Sequence, residues 1–316
     1  MRALIIGGNG AIGSAIARHA DGRGIETHVG MRASPAVDRL TQHPAIRRHA
    51  LDATDAASVG RVIRSVRPDW LVMAALPRSG HAPTQDARRA LLLGMCQGLL
   101  GVLEGARNAG FAGRVAWIGS AMSYGAGGQP RRTEAALRPQ TFRGAVKAAE
   151  SLLAAQLAAE SGIAMTEVRV FTGYGPYEQR ERFVASVLRA ALSGGRVRLA
   201  QVPGRRDWIH YDDIARACLA AMASPTMPAV FNACSGRLHD TREVATLLET
   251  IVGRSLVSDQ IHPAGDCYGD VEPGQLPTPA EVDWAPAISL SQGLEHCWAW
   301  ARSAPGRAYL LAEPAA

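Results

Sequence analysis

The stretch Ala3-Leu4-Ile5-Ile6-Gly7-Gly8-Asn9-Gly10-Ala11-Ile12-Gly13-Ser14-Ala15-Ile16-Ala17 constrains the fold more than any other part of the chain. An apolar run that ends abruptly in glycine fits a short strand buried on both faces. Ile12, Ala15 and Ile16 then recur at helical spacing. Between them Gly7, Gly10 and Gly13 form a GxxGxxG turn. The first glycine permits the tight turn, the second lets backbone approach a pyrophosphate, and the third lets helix and strand pack closely. The helix N-terminus then presents unpaired amides and the positive end of its dipole to the phosphates. The expectation is a dinucleotide site built by Gly7, Asn9, Gly10, Ile12 and Gly13 at the head of a Rossmann-like α/β fold.

Strand-like and helix-like segments alternate through residues 1–170, which predicts a doubly wound parallel sheet with helices on both faces. Further strands are read at Glu26-Thr27-His28-Val29-Gly30 and Trp70-Leu71-Val72-Met73-Ala74-Ala75, with Ala74 lining the cofactor. In such folds an acid after the second strand accepts the ribose 2′-hydroxyl. Here that strand runs into Met31-Arg32-Ala33-Ser34. Arg32 suits a 2′-phosphate and Ser34 adds a donor, so the cofactor is read as NADP(H) ahead of NAD(H). Asp52 is either an acceptor for the adenine amino group or the N-cap of the next helix.

Of the 34 basic residues, 33 are arginine and one is Lys147. Lys is a compact point charge and Arg a wide planar fork, so a lone Lys marks a position where the two are not interchangeable. The formal charge of +6 comes from dispersed arginines without interleaved aromatics. It favours an anionic small molecule over nucleic acid. Five scattered cysteines form no CxxC pair and the histidines show no ligand spacing, so neither disulfides nor a metal site are expected. The first apolar stretch is too short for a signal-peptide core and no later run is read as spanning a bilayer. A cytoplasmic location is expected.

From these pieces the chain resembles the extended short-chain dehydrogenase/reductases, broadly the NAD-dependent epimerases and dehydratases. The matching segments are GGNGAIG at 7–13, LDATD at 51–55, IGSAMSYG at 118–125, Lys147, RVFTGYGPYE at 169–178, RRDWIHYDDIARA at 205–217 and VDWAPAISLSQGL at 282–294. The resemblance implies a smaller substrate lobe after the nucleotide domain. Residues 1–170 form the nucleotide domain, with 205–240 returning to it, and 171–204 with 241–316 form the lobe. Segment 263–286 is read as surface loop, and the tail after Pro305 as irregular or frayed. A homodimer is left open.

The resemblance further implies a Ser or Thr, a Tyr, a Lys and a helix Asn at the reacting centre. Ser120 matches the carbonyl-binding hydroxyl and Lys147 the ribose-binding lysine. The Tyr position holds Arg143, with Phe142 one residue out of register, and the Asn position falls at Met95. Arginine stays protonated above about pH 12, so it stabilises an anion without supplying a proton. Arg143 and Lys147, one helical turn apart, repel unless an anion or the cofactor lies between them. The proton is then sought from water through Ser120, from His81, Tyr124, Tyr174 or Tyr177, or from a phenol on the substrate itself.

Ala121-Met122 replaces the Asp-Glu pair of the family's 4,6-dehydratases. Arg206 matches one of two diphosphate-binding arginines, and Val271 to Pro277 offers no second. Met122 and Met95 suit a flat apolar substrate or are ordinary core. His81, Met122, Tyr124, Thr172, Tyr174 and Arg206 are the substrate candidates. The reading is an NADPH-dependent ketoreductase of a bulky, aromatic polyketide-like small molecule. The alternatives are a nucleotide-sugar 4-ketoreductase or epimerase, and a catalytically inactive NADP-binding protein.

Overall fold

The computed structural model describes residues 1–32, 38–75, 84–125, 127, 130–201, 204–260 and 272–312. Its larger sheet has seven parallel strands: β1 (Arg2–Ile6), β2 (Glu26–Met31), β3 (Arg47–Ala50), β4 (Trp70–Met73), β5 (Arg114–Ser120), β6 (Ala164–Val170) and β9 (Val230–Ala233). Their order is β3-β2-β1-β4-β5-β6-β9. Because β2 lies on one side of β1 and β4 on the other, a crevice opens beyond the carboxyl ends of β1 and β4.

Alternation along β1 explains how both faces are covered. Ala3 and Ile5 pack with Ala15 and Ile16 of α1 (Ala11–Asp21) and with Ile214 and Ala217 of α6 (Tyr211–Ala223). Leu4 and Ile6 point the other way, to Val59 and Ile63 of α2 (Ala56–Val66) and to Leu99 and Val102 of α3 (Gln85–Asn108). Each fully buried Leu or Ile contributes about 1.5–3 kcal/mol, which makes this strand the anchor of the domain. Helix α4 (Phe142–Ser161) packs beside α3; Thr141 Oγ1 accepts its Gly144 amide at 3.0 Å, and the helix ends at Gly162 in the left-handed region.

A second sheet joins β7 (Thr172–Tyr174), β8 (Arg205–His210) and β10 (Leu238–Asp240); β8 runs parallel to β7 and antiparallel to β10. Around it α5 (Phe183–Ser193), α7 (Thr241–Val252), α8 (Leu290–Arg302) and α9 (Ala304–Leu311) enclose a separate core of Val184, Leu188, Trp208, Val244, Leu248, Leu294 and Leu310. The Asp207 carboxylate ties the two regions. It accepts from Ser235 N and Oγ (both 2.7 Å), Gly236 N (2.9 Å) and Gly274 N (3.0 Å).

Three expectations need correction. The tail is helical: Pro305 stands in the first turn of α9, where its missing amide costs nothing and its fixed φ favours the helix. Within 272–286, Val282 and Trp284 are buried, and Trp284 meets Phe231 edge-on at 5.4 Å. That part of the segment is core rather than surface. Helix α3 is long and apolar enough by composition to cross a membrane, with half of that window buried inside the fold.

Candidate active site

The crevice is shaped by backbone. Gly7 adopts φ +80°, and a β-carbon there would fall 2.4 Å from the Ala75 amide nitrogen. One at Gly13 would fall 2.3 Å from the Gly7 carbonyl oxygen. Only glycine lets strand, turn and helix approach this closely. Ala74 lies against the same turn, its amide donating to Ile6 O at 2.8 Å. Gly10 caps α1 without any side-chain bond, so the first-turn amides remain for an external acceptor. Ile12 packs at the edge of the core behind them. Asn9 is tied to Arg39: its Oδ1 accepts from Arg39 N at 2.8 Å and its carbonyl from Arg39 Nη1 at 2.9 Å. These residues fit a nucleotide diphosphate, and a nicotinamide cofactor held here would supply a hydride.

Arg32 is exposed at the end of β2; Ser34 and His81 lie outside the described residues. Asp52 is not the helix cap. Its Oδ1 accepts from Thr54 N (2.9 Å) and Oγ1 (2.8 Å), which holds its carboxyl below the usual range, while Asp55 caps α2 through Ala57 N. The closed Asx turn wins because it satisfies a backbone amide locally.

Next to the crevice, β5 delivers Ser120. Its Oγ accepts from Met122 N at 3.2 Å and so caps the short turn Ala121–Ser123. Gly144 brings α4 against that turn; a β-carbon at 144 would lie 2.5 Å from the Met122 carbonyl. Arg143 stands half-buried in the first turn of α4, and Lys147 one turn later is only 5 % exposed. Lys147 Nζ donates to Ile118 O at 3.2 Å and pairs with Glu150 Oε2 at 2.7 Å. Glu150 also meets the Trp117 side chain. Burial pushes its carboxyl up against the pull of Lys147. Lys147 thus has its anionic partner in Glu150, from the same helix. Sequence reading passed over it, although an acid at i+3 from a lone Lys is a visible signal.

Behind this pair runs a buried polar network. Ser151 Oγ donates to Glu167 Oε2 at 2.6 Å, and Arg169 reaches Glu167 (2.9 Å) and Ser151 (3.2 Å). The Arg169 guanidinium also lies 4.7 Å over the Tyr124 ring. Tyr124, expected beside the substrate, is 1 % exposed and donates to Asn232 Oδ1 at 2.8 Å. Burial raises its pKa, and its hydroxyl is committed to Asn232 inside the core.

Tyr174 is likewise buried in the smaller core, edge-on to Trp208 and His210, with burial driving its hydroxyl upward. Tyr177 packs on Trp300 and Tyr309. Met95 is buried with Leu91 and Val146 and serves packing, whereas Met122 is half-buried. Thr172 is half-buried opposite Trp208 in the second sheet, and Arg206 is buried in β8 opposite His239.

The chain belongs to the NAD dependent epimerase/dehydratase family, whose model matches residues 3–234. Among curated relatives, it is 24 % identical over 228 residues to UDP-glucuronate 4-epimerase 5 of Arabidopsis thaliana, covering 64 % of this chain and 51 % of that protein. It is 27 % identical over 168 residues to dTDP-glucose 4,6-dehydratase of Streptomyces griseus, covering 52 % and 51 %. The chain therefore spans about half the length of these two relatives. Among solved structures it is similar to the UDP-glucose 4-epimerase of Thermotoga maritima with UDP-glucose, with TM-score 0.84 and 22 % identity over 96 % of this chain and 99 % of that one. The UDP-glucose 4-epimerase of Thermus thermophilus with NAD gives 0.83 and 25 %, over 96 % and 100 %.

Proposed function

We propose that this chain is an NADPH-dependent ketoreductase that reduces a bulky, aromatic polyketide-like ketone, with 171–204 and 241–316 as its substrate lobe. The observation that carries this reading is the fate of the phenols. The helical position one turn before Lys147 holds Arg143, and the five described tyrosines are engaged elsewhere: Tyr124 with Asn232, Tyr174 and Tyr211 in apolar cores, Tyr177 and Tyr309 with one another. A reversible epimerase must remove and return a proton at one oxygen, which calls for a positioned acid and base. A one-way reduction tolerates a borrowed proton. Hydride adds to the carbonyl carbon, the π electrons move to oxygen, and that oxygen takes a proton from a phenol adjacent to it on the substrate. Ser120 donates to the carbonyl oxygen, and Arg143 with Lys147 favours the resulting phenolate. Arg32 pairs the 2′-phosphate, so NADPH binds ahead of NADH.

A second reading, a nucleotide-sugar 4-ketoreductase or epimerase, is favoured by the named relatives and by Arg206 held in β8. A homodimer is proposed through α3 and α4, where Leu93, Leu100, Leu152 and Leu153 are exposed on neighbouring helices.

Steady-state reduction decides between the readings. With NADPH, an aromatic ketone bearing an adjacent phenol should turn over, its methyl ether should bind without reacting, and a 4-keto nucleotide sugar should be inert. Turnover of the sugar alone selects the second reading. Nucleotide binding without any turnover selects an inactive NADP-binding protein. Charge-assisted pairing is worth about 1.5–3 kcal/mol, so Arg32→Ala should cost NADPH roughly tenfold to a hundredfold in affinity and leave NADH unchanged.

A further inference from the structure

The glycine turn that shapes the crevice is gripped from outside by one residue. Arg39, in the segment after β2, donates its main-chain amide to Asn9 Oδ1 and its Nη1 to Asn9 O. Its Nη2 donates to the Tyr309 hydroxyl at 3.2 Å, and its guanidinium carbon lies 5.3 Å from the Tyr309 ring centre and 5.8 Å from that of Tyr177. Tyr309 belongs to α9, 270 residues further along the chain.

Tyr309 is itself held. Its hydroxyl donates to Tyr177 O at 3.3 Å, and its ring packs on Tyr177 and Trp300 at 5.5 and 5.8 Å between centres. Tyr177 adopts φ +64°, a region that residues with side chains seldom occupy, so its neighbours must hold it. A second tie joins the same loop to the end of α9, where Arg180 donates to Ala312 O.

We propose that Arg39 is a positioning residue of the cofactor turn and that α9 keeps it in place, so that cofactor binding and the docking of α9 strengthen each other. The inference rests on the reading of the crevice as a nicotinamide-nucleotide site. Trp300 and Tyr309 lie on α8 and α9, outside the strands and the helix that frame the crevice. Their influence passes through Asn9, whose backbone is part of the turn that presents amides to phosphate. A turn already held in its binding shape loses less freedom when the ligand arrives. Coupling of this kind is reciprocal: a ligand that favours the held turn must favour the docked helix by the same factor.

The test measures affinities of NADPH and NADH, by nucleotide fluorescence, for the wild type, Tyr309→Phe, Arg39→Ala, Asn9→Ala and the pair Arg39→Ala/Tyr309→Phe. Loss of the hydroxyl that accepts from Arg39 and donates to Tyr177 O predicts weakening by about threefold to tenfold in Tyr309→Phe. Arg39→Ala should weaken binding further, and the paired variant should bind no more weakly than Arg39→Ala alone, because Tyr309 acts through the Arg39 guanidinium. Hydrogen exchange across residues 304–311 supplies the second readout. Added NADPH should slow it in the wild type and leave it unchanged in Arg39→Ala, a ligand dependence that a merely structural contact would not produce. Thermal melting checks that each variant is folded, and Tyr309→Phe, which removes one oxygen atom, keeps the test open if Arg39→Ala unfolds. A wild type that binds nucleotide, with Tyr309→Phe at the same affinity and exchange in α9 indifferent to ligand, overturns the proposal. A wild type that binds neither nucleotide overturns the functional reading together with it.

Discussion

The cofactor crevice and the face between β5 and α4 lie side by side, yet they are held by different means. In the crevice the decisive groups are absent side chains: Gly7 and Gly13 let main chain touch main chain, and the ligand-facing atoms are amides. Across the β5/α4 face the decisive groups are charges in a dry setting, Lys147 and Glu150 at 2.7 Å with the Glu167–Arg169 pair behind them. A site of the first kind is specified by sterics and tolerates almost no substitution. A site of the second kind depends on mutual neutralisation, so its chemistry changes when one partner changes. Arg143, one helical turn before Lys147, places a further cation on that helix.

The contrast breaks first at the glycines. Gly13→Val should abolish measurable nucleotide binding, because even the β-carbon would sit 2.3 Å from the Gly7 carbonyl; retained affinity with either nucleotide would mean the turn is not backbone-limited. Next comes the buried pair. Glu150→Ala strands a buried ammonium and should cost about 3–5 kcal/mol in urea unfolding, with Glu150→Gln costing less because it keeps an acceptor. Equal, small losses in both variants would show that Lys147 does not depend on its partner. The smallest effect is expected at Tyr124→Phe. Losing the bond to Asn232 should cost about 1–2 kcal/mol and leave turnover unchanged. A large fall in turnover with intact stability would instead make Tyr124 the acid.

The same contrast explains what could be read from the chain. GxxGxxG after an apolar run is a local pattern with a local cause, and the seven-stranded sheet follows from it together with strand–helix alternation. Tyr124 and Tyr174 looked like loop residues near a substrate, but their burial depends on Asn232, Trp208 and His210, which are distant in sequence. Glu150 went unnoticed because its importance comes from burial, and only its spacing from Lys147 is visible beforehand. The tail after Pro305 reads as frayed in the sequence, yet a proline in the first turn suits the start of a helix. Trp284 sat in a Pro-rich stretch and still found Phe231.

The place of β9 has a consequence for biosynthesis. It pairs with β6, which is finished some sixty residues earlier, and α6, which covers the apolar face of α1, arrives almost as late. A ribosome that has made residues 1–200 has therefore produced most of the large sheet with β6 as an open edge and the α1 face that meets α6 uncovered. Such edges pair readily with other chains. Between the emergence of β6 and that of β9, the nascent protein is at its most prone to aggregate, and it is there that a chaperone has most to protect.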